Sequence, residues 1–138
     1  MGVLYLQDAV CMLPARPDLV ENMQYIAASI EEMGGSCHLF SSSSALPGED
    51  DRIRDEFRTQ ADAQMQQIAA RITALRAELE SAITLTALEQ VEESLKKERV
   101  SYLRARRLSF FGNSGAAEVD NQLDSLREAL DNLHRMDK

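Results

Sequence analysis

Ala61, Met65, Ile68, Ile72, Leu75, Leu79 and Ala82 follow one another at spacings of four and three without a miss. That rhythm keeps one narrow apolar stripe on one side of an α-helix, the seam a helix turns toward another helix. The helix that carries it reads from about Glu49 to Ala82, roughly 50 Å at ~1.5 Å per residue. A chain with such a seam must supply or recruit further helical surface. Ala116, Val119, Leu123, Leu126, Leu130 and Leu133 repeat the rhythm and predict a last helix to about Met136. Between the two, a helix over about 87–110 carries Leu88, Leu95, Tyr102 and Leu103 on one side. Thr84-Leu85-Thr86 breaks the first helix, and Thr86 with Glu89 fits a capping box for the second. Glu92–Lys96 and Glu93–Lys97 stand four apart in the favourable order. Gly112-Asn113-Ser114-Gly115 is a turn. Three long helices joined by short turns should pack antiparallel as a hairpin or small bundle.

The N-terminal third has a different pattern. Gly2-Val3-Leu4-Tyr5-Leu6-Gln7-Asp8-Ala9-Val10-Cys11-Met12-Leu13-Pro14 is nearly all apolar, β-branched or aromatic, and predicts two strands, 2–7 and 9–13, folded back at Gln7-Asp8. Pro17 suits the first position of a helix, and Asp18 and Glu21 favour its positive end. Val20, Met23, Ala27, Ile30 and Met33 give that helix an apolar stripe, and Gly34-Gly35 stops it. Cys37-His38-Leu39-Phe40 reads as a third strand, and Ser41 to Gly48 as a linker. The expected fold class is α+β: a partial ferredoxin-like β-β-α-β unit over 1–48, then a helical hairpin or bundle over 49–138, continuous with it as one domain. A ferredoxin-like sheet places its first strand in the middle. No such strand is expected ahead of Gly2, so open sheet edges and uncovered seams predict self-association.

The net charge of −8 excludes binding to nucleic acid or anionic membrane by bulk attraction, so any such contact needs a local patch. No apolar stretch approaches the ~18–20 residues of a membrane span, and no signal peptide is visible. The expected location is cytoplasmic. Cys11 and Cys37 make no disulfide framework and read as small buried hydrophobes on strands, with a redox or oxyanion-reactive pair as the functional alternative. His38 and His134 lack ligand spacing and read as surface or half-buried residues. No catalytic triad, phosphate loop or CxxC pair is present, so neither an enzyme nor a cofactor or metal is expected.

The hairpin Gly2 to Pro14 resembles the start of the conserved part of ChrB, the chromate-resistance regulatory protein family. Glu32-Met33-Gly34-Gly35 resembles that family's helix end, and Phe57-Arg58 the Phe-Arg of its long helix. Arg104-Ala105-Arg106-Arg107-Leu108-Ser109-Phe110-Phe111-Gly112 resembles its Arg-rich approach to a Phe-Phe-Gly turn. The resemblance spans nearly the whole chain, as the family's N-terminal domain. The family carries a strand and a basic, Trp-containing helix ahead of the position of Gly2, and a C-terminal domain; neither is expected here. Its Arg-Asp and Glu-Tyr pairs after Phe-Arg are replaced by Thr59-Gln60-Ala61-Asp62-Ala63-Gln64-Met65. The resemblance implies a chromate-responsive transcriptional regulator acting through DNA, an oxyanion or a partner chain.

One cluster stands out for binding. Lys96, Lys97, Arg99, Arg104, Arg106 and Arg107 fall in twelve residues with one acid, Glu98. The plain reading is a solvated face near a helix C-terminus; the functional reading is an anion or nucleic-acid patch. On a helical wheel Arg99 and Arg106 fall inside the arc of Leu88, Leu95, Tyr102 and Leu103. There they need carboxylates, from Glu78, Asp124, Glu128 or Asp131, or a bound oxyanion with the Tyr102 hydroxyl as an extra donor. The expected partners are a second copy or another chain, with DNA or an oxyanion as possible ligands. The alternative function is a non-catalytic helical dimerisation module with no ligand.

Overall fold

Four helices and one short β-pair make up residues 4–7 and 10–136, which the computed structural model describes. In chain order they are β1 (Leu4–Gln7), β2 (Val10–Met12), α1 (Pro17–Glu32), α2 (Glu49–Ser81), α3 (Leu85–Arg107) and α4 (Ala116–Met136). The chain divides into two compact units, Met1–Arg54 and Asp55–Lys138.

In the first unit β1 and β2 pair antiparallel, with Leu4 opposite Met12 and Tyr5 opposite Cys11, and the register shifts between Tyr5 and Gln7. The ends read at Gly2, Val3 and Ala9, and the turn at Asp8, lie outside the described residues. α1 starts with Pro17 at its first position, where a missing N–H costs nothing. It ends in two hydrogen bonds that close a Schellman motif: Gly34 N donates to Glu31 O at 3.0 Å, and Gly35 N to Ile30 O at 2.9 Å. The two glycines do different jobs. Gly34 has φ +88, and a Cβ on Gly35 would meet Ile30 Cγ2 at 2.9 Å. No residue of α1 is buried; Leu19, Met23, Ile26, Ala27 and Ile30 reach half-burial.

The expected ferredoxin-like β-β-α-β unit is not formed. Residues 35–45 have no regular secondary structure, and no third strand joins β1 and β2 among the described residues. Strand propensity is mostly packing against neighbours, and among the described residues Cys37–Phe40 pairs with no strand. Phe40 is 84% exposed and stacks on His38, 6.3 Å away. The chain is mainly helical. Cys37 is half-buried on that irregular segment and Cys11 is exposed on β2, so neither is the buried hydrophobe expected of it.

The second unit is a three-helix bundle. Met65, Ile68, Ile72, Leu75 and Leu79 of α2 meet Val91, Leu95, Tyr102 and Ala105 of α3 and Val119, Leu123, Leu126 and Leu130 of α4 in one core. Polar ties set the directions. α2 runs against α3, because Arg58 reaches Phe111 and Arg71 reaches Glu98. It runs with α4, because Asp62 meets Ser114 and Arg76 meets Ser125. The order is up-down-up. The α3–α4 turn is clasped to α2 by four contacts. Arg58 Nε donates to Phe111 O at 3.0 Å, and Ser114 N donates to Asp62 Oδ1 at 2.7 Å. The Phe57 and Phe111 rings meet edge to face at 5.3 Å. A Cβ on Gly115 would sit 3.3 Å from Met65 Cβ.

Two local expectations change. The cap of α3 is Thr84, whose Oγ1 accepts from Ala87 N at 3.1 Å, so the helix starts at Leu85, Thr86 lies inside it, and the third position after the cap is Ala87 rather than a Glu that could close a capping box. Leu103 does not share the face of Tyr102; it is 52% exposed. The inward stripe runs instead through Val91, Leu95, Tyr102 and Ala105. Leu126→Ala should therefore cost about 2–5 kcal/mol of stability by urea unfolding. Leu103→Ala should stay within about 0.5 kcal/mol.

Candidate functional site

The six cations of α3 follow from where its core stripe points. With Tyr102 and Ala105 inward, Lys96, Lys97, Arg104, Arg106 and Arg107 are all exposed. Arg104, Arg106 and Arg107 occupy the last turn, where the helix dipole favours positive charge. Glu98, the one acid of the segment, turns to α2, and Arg71 Nε donates to both its oxygens at 2.9 and 3.0 Å. The outward side of α3 is therefore left without a carboxylate from Lys96 to Arg107.

The seven nominated residues do not converge on one point. Tyr102 is in the core. Arg99 stands at its edge, with a side chain 43% exposed, and its Nη1 lies 3.6 Å from Asp124 Oδ1. Asp124 is one of the four carboxylates the sequence offered. Arg106 is exposed rather than turned to the core, one residue from the helix end. Glu92 does not reach Lys96; its Oε2 lies 3.4 Å from His134 Nε2.

Lys96 and Arg99 do share a cleft between α3 and α4, of about 200 Å³. Leu95, Leu123 and Leu130 form its apolar floor. Arg127 closes the cationic side from α4, while Glu92 and Asp131 supply negative charge at the rim. Arg127 was not nominated from sequence, although a signal exists. It follows Leu123 by four, as Arg99 follows Leu95 by four, so both flank the α3–α4 seam. Two guanidinium groups at one mouth suit a planar or tetrahedral oxyanion. Such a ligand would have to displace Asp124 from Arg99. Lys97, Arg104, Arg106 and Arg107 lie away from this cleft. A second cavity, about 420 Å³, opens among Leu79, Ala82, Leu88, Ala129 and Leu133 and has Glu80 as its only charged lining residue. Among the described residues no group of three or more His, Cys, Asp or Glu could hold a metal ion, and no helix is long and apolar enough to cross a membrane.

The bundle gathers six cations on α3, five of them exposed, and this is the structural setting in which the family assignment falls. The chain belongs to the family described as Protein ChrB, N-terminal, which it matches over residues 1–136. Membership points to a domain of the chromate-resistance regulator type. Comparison with curated proteins and with solved structures found no match.

Two of the motifs that carried the resemblance hold local structure. Met33-Gly34-Gly35 is the helix stop, and Phe57-Arg58 grips the Phe110-Phe111-Gly112 turn. A double-mutant cycle of Phe57→Leu and Phe111→Leu should give a coupling of about 0.5–1.5 kcal/mol in unfolding experiments. Arg99→Ala should stay within about 1 kcal/mol, because a partly exposed ion pair contributes little, and Arg106→Ala should do the same because Arg106 is exposed.

Proposed function

We propose that this chain is the non-enzymatic N-terminal domain of a chromate-response transcriptional regulator, and that it acts by holding an oxyanion at the α3–α4 cleft. The family match over residues 1–136 carries the first half of that reading. The placement of Arg99, Arg127 and Lys96 around one cleft supports the second. The tie to Asp124 gives the site a built-in competitor. An oxyanion that takes Arg99 releases Asp124, so binding alters the charge between α3 and α4. A net charge of −8 disfavours tight binding of duplex DNA by this chain alone.

A second reading has its own observation. Val100 is 67% exposed in the middle of the cationic face of α3, and Leu103 beside it is also exposed. Exposed apolar residues in that setting favour a protein-interaction module with no small ligand.

The readings part on added anion. Chromate or sulfate at millimolar concentration should raise the melting temperature of the wild type and leave Arg99→Ala/Arg127→Ala unchanged. An unchanged wild type would remove the oxyanion reading. In a mobility shift at low salt, the chain should show no submicromolar binding of operator-like duplex.

A further inference from the structure

We infer that the outer face of α3 is a docking surface for the acidic face of α1 from a second copy of the chain. The docking surface shares Lys96 with the oxyanion cleft but otherwise uses the side of α3 that faces away from the core, whereas the cleft relies on Arg99 and Arg127.

The first half of the match is on α3. Lys96, Val100, Leu103 and Arg107 lie at steps of four, three and four, so they form one stripe along the exposed side, with Arg104 beside them. The stripe reads base, apolar, apolar, base. It cannot meet its own copy, since like charges would face one another. Its complement is a helix that reads acid, apolar, acid over the same length.

The second half is on α1. Glu21, Tyr25, Ala28 and Glu31 lie along its exposed side, with Glu32 beside them, and Tyr25 is 76% exposed. No cation lies on α1. Glu21 to Glu31 spans ten residues and Lys96 to Arg107 spans eleven, about 15 and 16 Å at ~1.5 Å per residue. The charged ends therefore meet in register while Tyr25 and Ala28 lie over Val100 and Leu103. Apolar burial in the middle supplies affinity, and the charges at both ends supply alignment. The apolar centre and the absence of an exposed aromatic on α3 favour a helix over a nucleic acid as the occupant. Each copy carries one face of each kind, so a second copy supplies the complement that either face needs.

Sedimentation velocity on the full chain at micromolar concentration tests this. The wild type should be a dimer at low salt and dissociate as salt rises, since exposed charge pairs are screened. Lys96→Glu/Arg107→Glu should weaken dimerisation roughly tenfold or more, and Glu21→Lys/Glu31→Lys should do the same. An equimolar mixture of the two variants should recover the dimer, because each then presents what the other lacks. Circular dichroism and melting temperature check that both variants fold, and recovery on mixing excludes simple misfolding. A monomeric wild type overturns the inference. So does a dimer that survives both reversals, or a monomer that binds duplex DNA through Lys96 and Arg107.

Discussion

The unbroken seam of α2 is the constraint that the second unit answers. Phe57, Ala61, Met65, Ile68, Ile72, Leu75 and Leu79 are all buried, and nothing on α2 alone could cover them. Most helical stability comes from tertiary packing of an apolar face rather than from propensity. α3 and α4 therefore exist as helices in large part because α2 gives them a surface. Each returns a seam of its own, and the deepest side chains, Met65, Ile72, Leu123, Leu126, Val91 and Val119, come from all three. The first unit has no such element. Its helix buries no residue, and among the described residues its two strands pair only with each other.

Seams fix which faces meet but leave sliding along the axis cheap, because a shift of seven residues restores the same contacts. The clasp at the α3–α4 turn removes that freedom. Arg58 and Asp62 sit one helical turn apart and bind main-chain groups of Phe111 and Ser114, which no other register would offer. Gly112, with φ +88, lets the chain turn there, and Gly115 lets the start of α4 pass close to Met65. Asn113 then finishes the job locally: its Oδ1 accepts from Ala116 N at 2.9 Å and satisfies one of the free donors at the start of α4.

Periodicity made the helical part legible. The seams of α2 and α4 and the turn at 112–115 were visible because burial on one side of a helix leaves a regular imprint on sequence. The cap at Thr84 was off by two residues because two threonines stand two apart and only geometry says which one is free to turn back. The third strand failed for a deeper reason. Cys37-His38-Leu39-Phe40 has strand-like composition, but a strand is a relation between segments, and composition cannot show that the neighbour is absent. The cleft was half legible. Arg99 and its carboxylate Asp124 could be named, whereas Arg127 needed the pairing of α3 with α4, which no single helix encodes.

The cationic face and the core of α3 are one design rather than two. Val100 and Arg104 stand two residues either side of Tyr102, and Leu103 and Arg107 stand two either side of Ala105. Two residues are about 200° around a helix, so burying Tyr102 and Ala105 sends all four outward. The core does not need those four side chains, and their identities are free to serve something else. A stripe that sets bare valine and leucine between basic residues is poor for solubility and adds nothing to packing. Stability alone would replace Val100 and Leu103 with polar residues at no cost to the bundle. Their exposure between Lys96 and Arg107, on a side of α3 with no carboxylate over those residues, is the observation on which the proposed docking surface rests.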